Sequence, residues 1–248
     1  MTKQNMPISE KKIQLSEIFT SIEGEGILFG TKTMFVRMAG CHLKCYWCDT
    51  SYALAMNSGN TYPINEVKKM IKDHLQNNTY KINFTGGEPL IQYEAVKDLA
   101  KFIKEELGLR TYIESSCYDV DRFNKIISYI DICKIEFKTM DSQAVDIKHY
   151  RYLLNNEIEC LKTAIDNKKI TFIKIVVSNS TSIKEFRELI EVIFNTIKCD
   201  DLAGFIIQPT STINEPTVNR LLQFYDLVYP IYNEVRIIPQ LHKIIGAR

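Results

Sequence analysis

The sequence predicts an α/β fold, a complete or partial barrel of strands covered by helices. From about residue 60, short β-branched runs alternate with longer stretches of helical periodicity, each bounded by turn or capping residues. Most of these runs are apolar enough to be buried on both faces, as strands of a helix-covered parallel sheet are. About six strand-then-helix units follow one another, which favours a barrel over an all-β or bundle fold; a doubly wound open sheet is the competing arrangement.

In chain order the strand candidates are TMFVRM (33–38), KINFTG (81–86), RTYIES (110–115), DICKIEF (131–137), TFIKIVVS (171–178), AGFIIQP (203–209) and EVRIIPQ (234–240). Helical stretches lie near 64–77, 91–107, 120–129, 147–167, 182–197 and 215–229. The fifth opens with Ser182 and Glu185, spaced so that each side chain satisfies the other's backbone N–H as a capping box. In either arrangement chemistry gathers at the C-terminal ends of the strands. CHLKC follows the first strand and GGEP the second. No repeat, low-complexity tract or linker interrupts the pattern, so residues 1–248 are expected to form one domain.

Composition narrows the function classes. Lysine and arginine number 31 against 30 acidic residues, so no large field calls for a nucleic-acid backbone or an anionic membrane. The opening MTKQNMPISEKK lacks the apolar stretch of a signal peptide and no later run is long enough to span a bilayer, which points to the cytoplasm. Seven cysteines, three bunched and Cys117, Cys133, Cys160 and Cys199 spread singly, do not resemble a secreted disulfide framework. Reduced thiols are expected, with Cys133, Cys160 and Cys199 as packing residues.

Cys41, Cys45 and Cys48 are close enough in sequence to hold one inorganic object, yet a closed tetrahedral zinc site needs four ligands. No second cysteine pair follows, and His42 directly follows Cys41, where adjacent residues seldom reach one ion. An iron-sulfur cube held by three thiolates instead leaves one iron without a protein ligand. That vacancy suits a chelating amine and carboxylate from a substrate or cofactor. TGGEP (85–89) adds two glycines that let backbone approach a ligand closely, and Glu88 offers an acceptor.

These two features resemble the radical S-adenosylmethionine enzymes, whose C-x-x-x-C-x-x-C motif holds a 4Fe-4S cluster and whose GGE segment meets the cofactor's amino group. EIFTSIEGEG (17–26), FVRMAGC (35–41), CDT (48–50), TGGEP and PQLHK (239–243) narrow the resemblance to the 7-carboxy-7-deazaguanine synthase family. The resemblance implies an abbreviated TIM-type barrel, with an N-terminal substrate-binding extension and a C-terminal tail closing the site. It implies a carbon-nitrogen lyase on the route to queuosine and other 7-deazapurines, converting 6-carboxy-5,6,7,8-tetrahydropterin into 7-carboxy-7-deazaguanine with loss of ammonia. The abstracting species is the 5'-deoxyadenosyl radical, so no side chain is named as catalytic. Implied partners are the small pterin, a reductant such as flavodoxin or ferredoxin, and a second copy in a homodimer.

Carried over residue by residue, the resemblance makes Cys41, Cys45 and Cys48 the cluster ligands and Thr50 a magnesium ligand. Tyr46, Trp47, Asp49, Gly87, Ser115 and Lys138 fall at S-adenosylmethionine contacts. Glu23, Gly24, Glu25, Arg37, Thr85, His242 and the terminal carboxylate of Arg248 fall at substrate contacts. The chain departs from the family at EGEG, where QGEG is usual, because an ionised Glu23 only accepts hydrogen bonds. It departs again at Cys117, which stands where relatives commonly have glycine and is read as filling an apolar gap. Plainer readings make Arg37 an ion-pair partner, Glu23 and Glu25 solvated loop charges, Lys138 a surface residue and Trp47 a core anchor.

Two other functions compete. A glycyl-radical activating enzyme uses the same cluster on a partner protein, and a zinc-stabilised binding domain uses no catalysis. The EGEG, Arg37 and HK-tail set favours a small carboxylated substrate.

Overall fold

In the computed structural model, which describes residues 11–247, all seven strand candidates lie in one nine-stranded sheet. The strands are β1 (Lys12–Ile22), β2 (Lys32–Met38), β3 (Asn60–Pro63), β4 (Lys81–Gly86), β5 (Arg110–Ser115), β6 (Ile132–Phe137), β7 (Ile170–Val177), β8 (Gly204–Pro209) and β9 (Val235–Ile237). The six expected helices are α1 (Ile64–His74), α2 (Tyr93–Phe102), α3 (Val120–Ile126), α4 (Ile147–Asp166), α5 (Ile183–Phe194) and α6 (Val218–Val228). Side chains cap several of them: Ser182 Oγ accepts from Glu185 N at 3.3 Å, and Asp119 Oδ1 from Arg122 N at 3.0 Å.

The strand order is β3-β1-β2-β4-β5-β6-β7-β8-β9, with β2 and β4 to β9 parallel and β1 running antiparallel between β2 and β3. β3 and β9 end the sheet on opposite sides, so the barrel is partial and open. Three elements were not expected from sequence: β1, β3 and the short α7 (Leu241–Ile245). A register shift between Leu15 and Glu17 breaks the alternation of β1 into two phases, and β3 is four residues long and ends in proline. Neither leaves a clear period in sequence. Among the described residues no helix is long and apolar enough to cross a membrane.

Burial on both faces of the strands is as expected, but the two faces differ in chemistry. On the outer face Phe84, Ile113, Ile135, Ile173, Phe205 and Ile207 join the main hydrophobic core with helix residues such as Leu99, Leu161, Phe186 and Phe224. Cys117, Cys133 and Cys160 lie fully buried in that core. On the inner face Tyr112, Ile132, Phe172 and Ile206 form one apolar layer, closed by Ile27 and Leu28 from the loop after β1. Two residues further along each strand, side chains point inward again. There Glu114, Lys134, Lys174 and Gln208 replace the apolar layer with buried polar groups. The interior therefore has an apolar floor and a charged wall above it.

Phe172 is fully buried at the centre of that floor. Phe172→Ala is expected to lower the unfolding free energy by about 3–5 kcal/mol, measured by chemical denaturation. A loss under about 1 kcal/mol would mean that the floor does not support the barrel.

Candidate active site

The cysteine loop leaves the C-terminal end of β2 and is pinned at both ends by backbone hydrogen bonds. Cys41 N donates to Leu54 O at 2.9 Å, Lys44 N to Ala144 O at 3.0 Å and Tyr46 N to Ser142 O at 2.8 Å. The end of β4 presses against the base of this loop: Gly87 N donates to Met38 O at 3.0 Å and Glu88 N to Gly40 O at 2.7 Å. Only glycine fits there. A Cβ on Gly86, whose φ is +144°, would sit 2.2 Å from Met38 O, and one on Gly87 would sit 2.2 Å from Gly40 O.

Glu88 has a different part from that of an open acceptor. It is 1% exposed, and its carboxylate accepts from Leu90 N, Ser115 Oγ, Ser116 N and Ser116 Oγ at 2.6–2.9 Å. The side chain thus ties the ends of β4 and β5 together, and Ser115 spends its hydroxyl proton on that tie. Next to it Cys117 has φ +55°, in the left-handed region that favours glycine. Its thiol is fully buried in the core, as the gap-filling reading expects.

Cys41, Cys45 and Cys48 all face a cavity of about 370 Å³ at the C-terminal ends of the strands. Around a single zinc ion three thiolates would lie about 3.8 Å apart. Among the described residues, the trio of ligand atoms found within 4.8 Å of one another is instead Glu25, Asp49 and His242. The three cysteine sulfurs do not all lie within that distance of one another, as the ligands of one ion would. Burial pushes the Cys41 thiol up to about 12 and moves Cys45 in the same direction, so a metal has to draw off those protons.

The inward charges form a ladder beneath this cavity. Lys174 Nζ contacts Glu25 at 2.7 Å and Glu136 at 2.8 Å, and Lys134 Nζ contacts Glu25 and Glu114 at 3.2 Å. Lys138 pairs with Glu136 at the top. Lys81 pairs with Glu23 at 2.5 Å near the floor, its ammonium 4.6 Å from the Tyr112 ring centroid. Burial disfavours every one of these charges, and the neighbouring lysines overcome it at Glu25 and Glu136, whose carboxyls are held well below the usual range. Glu23 has essentially one lysine, and burial pushes its carboxyl up to about 7 against the pull of Lys81.

The chain's tail closes one side. Gln240 Nε2 donates to Glu25 Oε1 at 2.9 Å and to Asp49 Oδ2 at 2.7 Å, and Leu241 N donates to Gly24 O at 3.0 Å. The His242 ring packs on Gly24, with Nε2 3.9 Å from Asp49 Oδ2. Thr50 also lines the cavity, its hydroxyl 3.7 Å from Cys48 Sγ.

Of the residues singled out in the sequence, Glu23, Gly24, Glu25, Arg37, Trp47 and Asp49 line this one cavity, as do Thr50, Thr85, Gly87, Ser115, Lys138 and His242. Tyr46 is not among its lining; its ring is 55% exposed and meets Trp47 edge-on at 6.5 Å. Arg248 lies outside the described residues. Arg37 combines two readings, lining the cavity while its Nε donates to Glu17 at 2.9 Å. Glu23, Glu25 and Lys138 are largely buried rather than solvated. Lys81, Lys134, Lys174, Glu114, Glu136 and Gln240 were not picked out. Their signal was charge at every second residue within otherwise apolar strands, as in Lys134, Glu136 and Lys138.

An iron-sulfur enzyme at the mouth of an open barrel is the class these features define, and comparison with known proteins agrees. Residues 22–158 match the 4Fe-4S single cluster domain, and the chain belongs to that family. Along its length it is similar to the 7-carboxy-7-deazaguanine synthase of Methanothermobacter thermautotrophicus, 28% identical over 94% of this chain and 96% of the relative. Its fold is that of QueE from Escherichia coli, with a TM-score of 0.60, 18% identity and coverage of 93% and 95% of the two chains. The fold extends to Streptococcus suis SuiB bound to S-adenosylmethionine, with a TM-score of 0.56, 19% identity and coverage of 80% and 48%. Over its whole length, then, the chain is similar in sequence to 7-carboxy-7-deazaguanine synthases and shares the fold of such radical S-adenosylmethionine enzymes.

The buried Glu23–Lys81 pair makes a test of the ladder. Glu23→Gln strands the Lys81 charge and is expected to cost about 3–5 kcal/mol in a denaturant titration, whereas adding Lys81→Met recovers most of the loss. Equal stability of the single and double variants would show that the two groups are not coupled.

Proposed function

We propose that the protein catalyses the ring contraction of 6-carboxy-5,6,7,8-tetrahydropterin to 7-carboxy-7-deazaguanine with loss of ammonia, as a carbon-nitrogen lyase in 7-deazapurine biosynthesis such as that of queuosine. The observation that carries this reading is that the three cluster cysteines, the EGEG carboxylates and the tail histidine open into one cavity. A charged interior of this size suits a small polar heterocycle better than a polypeptide segment, which favours this reading over an activator of a partner protein.

Cys41, Cys45 and Cys48 would hold a 4Fe-4S cluster, and the backbone at Gly87 would approach S-adenosylmethionine, with Trp47, Asp49, Ser115 and Lys138 around it. Together the bound cluster and cofactor supply a one-electron reduction and a hydrogen-abstracting radical. The protein's part is to orient and to exclude water. Glu25, fixed as an anion by Lys134 and Lys174, accepts from the N–H edge of a pterin. Arg37 and His242 donate to its carboxylate, and Thr85 presents a hydroxyl already oriented by Glu114 at 2.9 Å. Glu23, buried against Lys81, acts mainly by keeping that ammonium charged beneath the substrate.

Thr50 would bind magnesium through its hydroxyl, in a cavity that Asp49 and Glu25 also line with hard oxygens of the type this ion prefers. The N-terminal EGEG loop and the Gln240–His242 tail serve as extension and closure on one domain. Reduced flavodoxin or ferredoxin as donor, a homodimer and a cytoplasmic setting complete the proposal.

The test is anaerobic incubation of the reconstituted protein with dithionite, S-adenosylmethionine and the carboxytetrahydropterin, followed by mass analysis. Appearance of 7-carboxy-7-deazaguanine and 5'-deoxyadenosine is expected; cofactor cleavage with the pterin left intact sinks the substrate assignment. Thr50→Ala is expected to reduce the stimulation by magnesium by about tenfold or more, with S-adenosylmethionine cleavage still measurable. An unaltered magnesium response removes Thr50 from the metal site.

A further inference from the structure

Lys138 stands where β6 runs out. The strand ends at Phe137, the last residue of its pairing with β7, so the main-chain N–H and C=O of Lys138 lie beyond the ladder that serves the rest of the strand. Main-chain groups taken out of water need partners, and both of these find one on the same helix. Lys138 N donates to Glu157 Oε1 at 3.1 Å, and the Tyr150 hydroxyl donates to Lys138 O at 2.8 Å. Tyr150 and Glu157 stand seven residues apart on α4, two turns along one face of a helix that packs on β6 and β7.

Holding an N–H with Glu157 costs folding energy. The residue is fully buried, and burial pushes its carboxyl well above the usual range, so the group is a neutral acid. Its Oε1 accepts from Lys138, while Oε2 has no protein partner, and the same is true of Thr139 Oγ1 and Asn156 Nδ2 in the adjoining residues. One hydrogen bond only partly offsets the burial of such a group. Side chains kept at that cost mark places where geometry rather than stability is specified.

The geometry specified here is that of a side chain in the site. The N–H of Lys138 belongs to the peptide plane before its Cα and the C=O to the plane after it, so the two bonds together fix the direction of the Cα–Cβ bond. The ammonium at the far end lines the cavity, gives one of its three donors to Glu136, and favours Cys45 as a thiolate against the burial that opposes it. Neither Tyr150 nor Glu157 lines that cavity; Tyr150 lines instead a second groove, with His42, Tyr118 and the start of α4.

We propose that Tyr150 and Glu157 are positioning residues of the cofactor site, which clamp both peptide planes of Lys138 and so aim its ammonium at an oxygen of S-adenosylmethionine. The inference rests on the reading of Lys138 as a cofactor contact given above, and its test separates the two.

The reconstituted protein is compared with its Tyr150→Phe, Glu157→Leu and Glu157→Gln variants, each made also in a Lys138→Met background. Tyr150→Phe keeps the ring and its packing and removes only the donor. S-adenosylmethionine affinity is measured by equilibrium dialysis, and 5'-deoxyadenosine formation with dithionite at saturating cofactor. Tyr150→Phe and Glu157→Leu are each expected to weaken binding about three- to tenfold, as loss of one hydrogen bond does, with the saturated rate within about twofold of the parent. Glu157→Gln, whose neutral amide oxygen still accepts from Lys138 N, is expected to bind as the parent does. In the Lys138→Met background the same substitutions are expected to change nothing further, because groups that act through one side chain have no effect once it is gone. A further loss in that background, or a Glu157→Gln variant as impaired as Glu157→Leu, is what a general disturbance of α4 would produce and overturns the positioning role. Unchanged binding in Tyr150→Phe and Glu157→Leu overturns it too. If Lys138→Met binds the cofactor as tightly as the parent, the contact itself is absent and the clamp has nothing to aim; if the parent neither binds nor cleaves S-adenosylmethionine, the radical reading fails and the proposal with it.

Discussion

Lysines 81, 134, 138 and 174 share the interior of this open barrel with glutamates 23, 25, 114 and 136, and none of them is tolerable there alone. Removing one ion from water costs several kcal/mol, so each charge depends on an opposite neighbour within about 4 Å. Opposite signs set side by side, on neighbouring strands and from the loop after β1, meet that requirement and leave four lysines against four glutamates. The consequence is a cavity whose wall is polar and already fixed by its own ion pairs. Glu25 illustrates the economy of the design: it is anchored by two lysines and two glutamine amides that come from three strands and the chain's tail.

A second constraint places the cluster loop above this ladder. The end of β4 reaches the loop only because Gly86 and Gly87 have no side chains to collide with Met38 and Gly40. Glu88 then turns inward and gathers four donors from its own turn and the end of β5. A buried carboxylate with its lone pairs filled is rigid as well as satisfied. The GGE sequence is thus a backbone joint whose third residue locks it, and the glycines are the part that lines the cavity.

The loop divides two environments. On one side lies the cavity with its charged wall; on the other, the groove bounded by His42, Tyr118 and the start of α4. Residues 42–44 form the partition, and backbone hydrogen bonds from Lys44 to Ala144 and from Tyr46 to Ser142 hold the loop in place.

The sequence by itself determined the alternation of strands and helices, because buried parallel strands and amphipathic helices leave strong local periods; every expected strand and helix is present. It also determined the cysteine spacing, the glycine pair and the EGEG and HK segments, all local patterns. What it did not disclose was β1, whose register shift splits its alternation, and β3, too short to carry any. Tertiary structure alone decided that Lys81 meets Glu23, that Lys134 and Lys174 meet Glu25, and that Gln240 bridges Glu25 to Asp49. Those partners stand 58 to 215 residues apart. A strand period says which face a side chain takes, but only the packing of distant strands and loops says which opposite charge will be waiting there.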